Sequence, residues 1–270
     1  MKRTNIILSI INIIMIIILI TLSSITYVTI KNYNSSQSVY YSNLEFVQAN
    51  ETPIFTIDKI TYFSSCNANI ETNSNSTFIV SDLYQYTDIA IFLNSNTEEF
   101  TLENTLKSVV LSDVKYNLSP NIGTPNLYYK NMNQFASPNF EKSNLITDSL
   151  TFDITSENTI DYSKPILYNN CANPITLCYV NSNLKGDEYA LSSDISDISY
   201  NGSLLKKCGI TLNSISCKIS FVLTITNNLD ETFSCPLTLT IPLSTENSTI
   251  YDGSLLVKDV TNYTFIKQQK

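Results

Sequence analysis

From Cys217 the chain alternates: Cys217, Ile219, Phe221, Leu223 and Ile225 are apolar, and Lys218, Ser220, Val222, Thr224 and Thr226 stand between them. A period of two with mostly polar intervening residues predicts a strand with one face on a core. The next run repeats the pattern, with Phe233, Cys235, Leu237, Leu239, Ile241 and Leu243 inward and Ser234, Pro236, Thr238, Thr240 and Pro242 outward. Proline has no N–H to give a neighbouring strand, so this run is expected at a sheet edge. Asn227 to Glu231 between the runs is turn-forming, which predicts an antiparallel hairpin. Shorter strands are expected near Ile54 to Phe63, Thr77 to Val80, Asp88 to Leu93, Ser108 to Tyr116, Leu150 to Ile154, Ile175 to Val180, Leu204 to Leu212 and Ser254 to Val260. Helical spacing occurs in one short stretch of this region, at Leu102, Leu106, Val109 and Val110. The predicted class is all-β, a β-sandwich of immunoglobulin-like or jelly-roll type.

A different pattern opens the chain. After Met1-Lys2-Arg3 no charged residue occurs before Lys31, and Ile6 to Leu22 is almost entirely Ile, Leu and Met. The uncharged stretch from Thr4 to Ile30 would extend roughly 40 Å as a helix, enough to cross a hydrocarbon core of about 30 Å. One transmembrane helix is therefore expected over residues 6–30, after a cytoplasmic tip of residues 1–5. Lys2 and Arg3 put the amino terminus inside by the positive-inside bias and the rest of the chain outside. The apolar run is longer than a signal-peptide core and ends without Ala-x-Ala, which favours an uncleaved anchor over a processed signal. An interfacial helix would need a polar face, and Ile6 to Ile20 has only Ser9 and Asn12.

Residues 31–45 are polar and aperiodic, a stalk. Residues 46–270 form the β-sandwich region. The segment Asn117 to Asp148 is rich in Asn, Ser and Pro and is long for a plain loop. Two organisations fit: sandwiches split as 46–120 and 148–270, or a single sandwich with a long insertion.

Composition narrows the chemistry. The 270 residues include 32 Asn and 34 Ile but one Arg, five Gly and neither His nor Trp, the set that AT-rich codons supply. Without histidine there is no His-based triad, no histidine zinc site and no imidazole proton shuttle. Seven Asn-x-Ser/Thr sequons, at Asn34, Asn50, Asn75, Asn117, Asn201, Asn247 and Asn262, match the about seven that 34 Ser and 29 Thr produce by chance, so they carry no information. Residues 31–270 hold 14 Lys against 24 acids, a net charge of minus ten that repels phosphate backbones. No nucleic-acid partner and no anionic headgroup adhesion is expected.

Six cysteines, Cys66, Cys171, Cys178, Cys208, Cys217 and Cys235, all follow the anchor, where disulfides are permitted. A two-residue turn at Asn213-Ser214 would bring Cys208 to Cys217, and a loop at Asn173-Pro174 would bring Cys171 to Cys178, leaving Cys66 with Cys235. The alternative has Cys217 and Cys235 as small apolar core residues, since both fall on inward strand positions. No C-x-x-C is present and a catalytic thiolate would lack a histidine, so no metal site, cofactor or catalytic cysteine is assigned.

Three S-x-x-K matches, at Ser112, Ser182 and Ser203, are near the chance number and lack the S-D-N and K-T-G elements of penicillin-interacting enzymes. Glu98-Glu99, Asp187-Glu188 and Asp194 with Asp197 could pair for glycoside hydrolysis, but they stand in solvated polar stretches. No calcium loop or phosphate-cradling glycine loop occurs. Tyr40-Tyr41 and Tyr128-Tyr129, read as loop residues, are the candidates for exposed contact tyrosines.

The Lys-Arg start, one Ile-rich span and an Asn-, Ser- and Tyr-rich exterior, with stretches such as YTDIAIFLN (residues 86–94), GTPNLYYKN (123–131), YSKPILYNNCANPITLCYVN (162–181) and ISCKISFVLTITNNLD (215–230), resemble uncharacterised single-pass membrane-anchored surface proteins of low-GC, AT-rich bacteria. The resemblance implies a location, the cell membrane with the body outside, and no catalytic motif. An AT-rich viral envelope protein would show the same bias. The chain lacks the processing glycine of type IV pilins and ends without a sortase LPxTG signal. The expected function is a non-enzymatic surface or envelope interaction protein, with the membrane and an unknown protein or envelope component as partners. The alternatives are an extracellular fibre or matrix subunit and a carboxylate-dependent envelope hydrolase.

Overall fold

The computed structural model describes residues 14–31, 53–72, 78–95, 99–155, 164–168, 173–185, 189–191, 202–242, 255–259 and 263–268. It divides into two units, residues 1–52 and 53–270.

The first unit contributes the helix α1 (Ile14–Lys31), long and apolar enough to cross a membrane. All its residues are exposed, among them Ile16, Ile17, Leu19, Ile20, Leu22 and Ile25. Four of its hydroxyls are satisfied within the helix: those of Thr21, Ser24, Thr26 and Thr29 donate to the carbonyls of Ile17, Ile20, Leu22 and Ile25 at 2.8 to 2.9 Å. Hydroxyls bonded one turn back present no bare donor to hydrocarbon.

The second unit is β-rich. Its strands are β1 (Phe55–Thr72), β2 (Phe78–Ser95), β3 (Leu106–Leu118), β4 (Thr124–Tyr129), β5 (Leu150–Thr155), β6 (Ile166–Tyr168), β7 (Ile175–Ser182), β8 (Tyr189–Leu191), β9 (Cys217–Asn227), β10 (Thr232–Ile241), β11 (Leu255–Asp259) and β12 (Ile266–Lys267). One sheet runs β11-β1-β2-β7-β4 with β8 also on β2, and the other runs β12-β10-β9-β3-β5-β6. All these pairings are antiparallel except β5 with β6. Strands from before and after the segment Asn117 to Asp148 interleave, β3 with β9 and β2 with β7.

The antiparallel hairpin expected at β9 and β10 is present, with Phe221 opposite Leu237 and Leu223 opposite Cys235. Its turn is organised by Asn227, whose Oδ1 accepts from the N–H groups of Leu229 and Glu231 at 3.0 and 2.9 Å. β10 is not the outermost strand. β12 lies beyond it, but pairs only with Phe233 and Ser234, so Pro236 is past the reach of that ladder.

The inner faces of both sheets feed one hydrophobic cluster that includes Phe55, Ile60, Ile89 and Leu177 from the first and Val109, Phe152, Phe221 and Leu237 from the second. Phe55 and Phe233 meet edge to face across it at 5.3 Å. Each such side chain contributes about 1.5–3 kcal/mol by leaving water.

β1 and β2 pair from Phe55 opposite Ser95 to Thr72 opposite Phe78, far longer than the short strands expected there. Their inward face changes character along its length. The large cluster ends at Tyr62 and Ile89. A polar belt follows, in which Ser64 and Thr87 hydroxyls meet at 2.7 Å and Gln85 Nε2 donates to Thr87 at 2.8 Å. Beyond it lies a second cluster of Cys66, Ala68, Val80, Leu83, Leu184, Leu204, Leu205, Cys208, Ile210 and Ile215. This polar interruption breaks the apolar alternation from which strand length was read.

The second cluster is closed by two short helices, α2 (Gly202–Lys207) and α3 (Leu212–Ile215), where a strand over Leu204 to Leu212 and a two-residue turn at Asn213-Ser214 were expected. Local capping explains the difference. Gly209, at φ +73°, donates to the Lys206 carbonyl and Ile210 to the Leu205 carbonyl, both at 2.9 Å, a Schellman ending with Leu205 and Ile210 in the same apolar cluster. Thr211 and Ser214 then cap α3 reciprocally. The helical spacing read at Leu102 to Val110 is also corrected. Residues 102–104 are turn and β3 begins at Leu106, with Leu106, Val109 and Leu111 buried and Leu102 exposed.

Candidate functional site

The densest polar constellation lies on the outward face of the first sheet, away from the main core. Asp88 on β2, Cys178 on β7 and Tyr128 on β4 are cross-strand partners in one row. Lys130 follows β4 and continues its ladder, donating its N–H to the Thr176 carbonyl at 3.1 Å. The segment 131–145 folds back over this row in two turns of 3₁₀ helix, at Met132–Gln134 and Lys142–Asn144, and seals it. It returns to the sheet where Ile146 donates to the Leu127 carbonyl at 2.9 Å.

Beneath this cover Lys130 Nζ donates to Asp88 Oδ1 and Oδ2 at 2.8 and 2.7 Å and to the Ser137 carbonyl. Neither charged side chain has any exposed surface. Asp88 Oδ2 also accepts from the Ala136 N–H at 2.8 Å. All three ammonium protons are thereby placed, and the carboxylate ties the sheet to the covering segment. Lys130 Nζ also lies 5.3 Å from the centre of the Tyr86 ring. Phe140 inserts between Tyr128, at 4.8 Å, and Tyr84, at 5.6 Å, while the Tyr84 hydroxyl donates to the Pro138 carbonyl at 3.0 Å.

Burial pushes the Asp88 carboxyl above its ordinary range, and Lys130, Cys178 and the Ala136 N–H draw it back. Burial, then the Asp88 charge, holds the Cys178 thiol well above the usual range, with Lys130 opposing. A nucleophilic thiolate is disfavoured in such a place. With its donors committed and its charges sealed, this arrangement acts chemically as a clamp on the segment 131–145.

Beside the clamp opens a cleft of about 320 Å³, lined by Tyr129, Asn131, Met132, Ile166, Tyr168 and Thr176 among others. Its volume is at the low end for small-molecule sites. The Tyr129 hydroxyl lies 2.6 Å from Asn131 Oδ1 and 2.9 Å from the Lys164 carbonyl. Among the described residues no group of three His, Cys, Asp or Glu side chains could hold a metal ion.

Five of the six cysteines are described, all buried thiols. They fall into three clusters: Cys66 with Cys208, Cys217 with Cys235, and Cys178 with the tyrosines of the outward face. Cys217 and Cys235 occupy the inward positions that the alternation assigned to them. Cys208 and Cys217 are in different clusters, as are Cys66 and Cys235. Cys171 lies outside the described residues, as do Tyr40, Tyr41, Glu98, Asp187, Glu188, Asp194 and Asp197. Tyr128 and Tyr129, expected in an exposed loop, are buried strand residues, 9% and 4% exposed, because β4 pairs with β7 and carries them under Phe140 and against Phe152.

The clamp was not singled out from sequence. Its signal is an aspartate directly before the apolar run Ile89 to Leu93, and a lysine directly after Tyr128-Tyr129. Charged residues at strand positions flanked by apolar ones are buried only when paired. No protein-family model, curated protein or solved structure matches this chain.

Proposed function

We propose that this chain is a single-pass membrane protein with a cytoplasmic amino terminus, displaying an extracytoplasmic β-sandwich of immunoglobulin-like or jelly-roll type as a non-enzymatic interaction module. Its partner is another envelope protein, a matrix component or a host surface. The observation that carries this reading is α1, an 18-residue helix with apolar side chains exposed along its length and four of its hydroxyls turned onto its own carbonyls. Water does not stabilise such a surface, and a bilayer does. Lys2 and Arg3 supply the orientation. The clamp supports a rigid display body.

A fibre subunit joined by edge pairing is less favoured by three of the four outermost described strands, the five-residue β11 being the other. β12 and β6 are two and three residues long, and on β4 Pro125 and the bridge from Leu145 to Tyr128 occupy the outer side. Short, blocked edges resist strand addition.

Protease treatment of intact cells, followed by fractionation, tests the proposal. The body is expected to be digested from outside while an amino-terminal fragment remains with the membrane. Full protection in intact cells, with digestion only after lysis, would overturn it.

A further inference from the structure

We propose that Cys66 and Cys208 form a disulfide that staples α2 to β1. Both thiols are buried within one small apolar cluster, where α2, which Cys208 directly follows, packs on β1. The Leu205 backbone hydrogen-bonds the Cys66 sulfur. Cys208 is three residues further on, where its N–H donates to the Leu204 carbonyl at 2.9 Å, so it continues the last turn of the helix. The interaction between the two sulfurs is itself among the influences that raise the Cys66 thiol.

The other described cysteines are not positioned for such a bond. Cys217 is opposite Ile241 and Cys235 is opposite Leu223, which sets them six residues apart along the hairpin. At about 3.3 Å per residue that is roughly 20 Å, well beyond the about 7 Å limit between bridged Cα atoms. Cys178 faces outward from the sheet, among Tyr86, Tyr128 and Val180.

The chemistry is thiol–disulfide exchange with an external protein or small-molecule disulfide as oxidant. One cysteine thiolate attacks the donor disulfide, forming a mixed disulfide and releasing one donor thiol. The second cysteine displaces the other donor sulfur as the S–S bond between Cys66 and Cys208 forms. Two thiols of the chain are oxidised, one donor disulfide is reduced to two thiols, and the two protons end on the donor. Burial pushes the Cys66 thiol up to about 12 and raises that of Cys208, with Lys185 opposing the latter. Thiolates that scarce exchange slowly, so the bond forms while α2 is still docking. Access to an oxidising compartment rests on the membrane topology proposed above.

The test uses the full chain in detergent, digested with trypsin under non-reducing conditions. Cys208 and Cys217 share the tryptic peptide 208–218, so the Cys217→Ser variant is used. It is isolated from cells after alkylation of thiols with N-ethylmaleimide, and separately reduced and then exposed to oxidised glutathione. The expected product is peptide 60–107 joined to peptide 208–218, lost on reduction and absent from a Cys66→Ser, Cys217→Ser double variant. Linkage of Cys66 to Cys171 or Cys235, or no linkage of Cys66 after glutathione, would overturn the pairing. Linkage after glutathione but not in chain taken from cells would uphold the pairing and overturn the extracytoplasmic placement.

Discussion

Lys130 and Asp88, on segments of one sheet that flank β7, face each other at 2.7 and 2.8 Å with neither side chain exposed. Removing one partner from a buried pair leaves an uncompensated charge or an orphaned acceptor and costs about 3–5 kcal/mol. Lys130→Met and Asp88→Leu are each expected to lose stability on that scale in urea titrations. The double variant is expected to lose less than the sum of the two by at least about 2 kcal/mol, because the second change removes the charge that the first strands. Part of the loss should persist, since the Ala136 N–H and the Ser137 carbonyl also lose their partners. Additive losses would mean that the two side chains are not coupled.

The buried thiols make alkaline stability fall in a predictable window. Burial raises Cys178 well above the ordinary thiol range and pushes Cys235 up to about 12. A thiol whose folded pKa is raised contributes stability that is complete below its unfolded value, about 8.5, and is lost as pH climbs from there towards the folded value. In that interval the unfolded chain releases a proton that the folded chain keeps. Each such thiol adds a slope of up to about 1.4 kcal/mol per pH unit. Urea midpoints measured between pH 7 and 10 should therefore fall less steeply for Cys235→Ala than for the parent chain. Parallel profiles would contradict burial of this thiol.

Two glycines with positive φ make a controlled comparison. Gly123 lies at φ +89°, and a Cβ built on it would stand 2.2 Å from Asn181 Oδ1 and 2.8 Å from Leu184 Cδ2. Asn181 is fully buried and donates to the Ile122 carbonyl at 3.1 Å, so it cannot withdraw cheaply. Gly209 lies at φ +73° with open space around it. Gly209→Ala should cost only the left-handed backbone penalty, about 1–2 kcal/mol. Gly123→Ala adds overpacking of about 1–3 kcal/mol to a penalty of that kind. Chemical denaturation should rank the two variants in that order.

How much of this structure was legible depends on how many faces each segment buries. β9 and β10 bury one face each, so Phe221, Leu223 and Leu237 declare the strands by alternation alone. β7 is buried on both faces from Ile175 to Asn181 and reads only as an apolar run. In β1 and β2 the alternation continues in geometry but not in chemistry, because Ser64, Gln85 and Thr87 take inward positions as a hydrogen-bonded belt. α2 was misread because Leu204 and Leu205 carry strand-like hydrophobicity. The stop signal Lys206-Lys207-Cys208-Gly209, with basic residues in the last turn and glycine after it, was the better guide. The clamp was not legible as a site because Asp88 and Lys130 are joined by no motif, only by a strand order that places β7 between β2 and β4.

The membrane role proposed for α1 can be separated from the folding of the body by charge alone. An arginine at the centre of a spanning helix costs about 2.5–3.5 kcal/mol on the insertion scale. Ile17, Leu19 and Ile20 are all more than half exposed on the helix surface, so their replacement disturbs no packing within the described structure. Ile17→Arg together with Ile20→Arg should therefore weaken insertion by about 5–7 kcal/mol. The variant is expected to leave the membrane pellet in carbonate extraction while its body keeps the urea midpoint of the parent chain. A double variant that stays in the pellet and still exposes its body to external protease would show that something other than α1 anchors the chain.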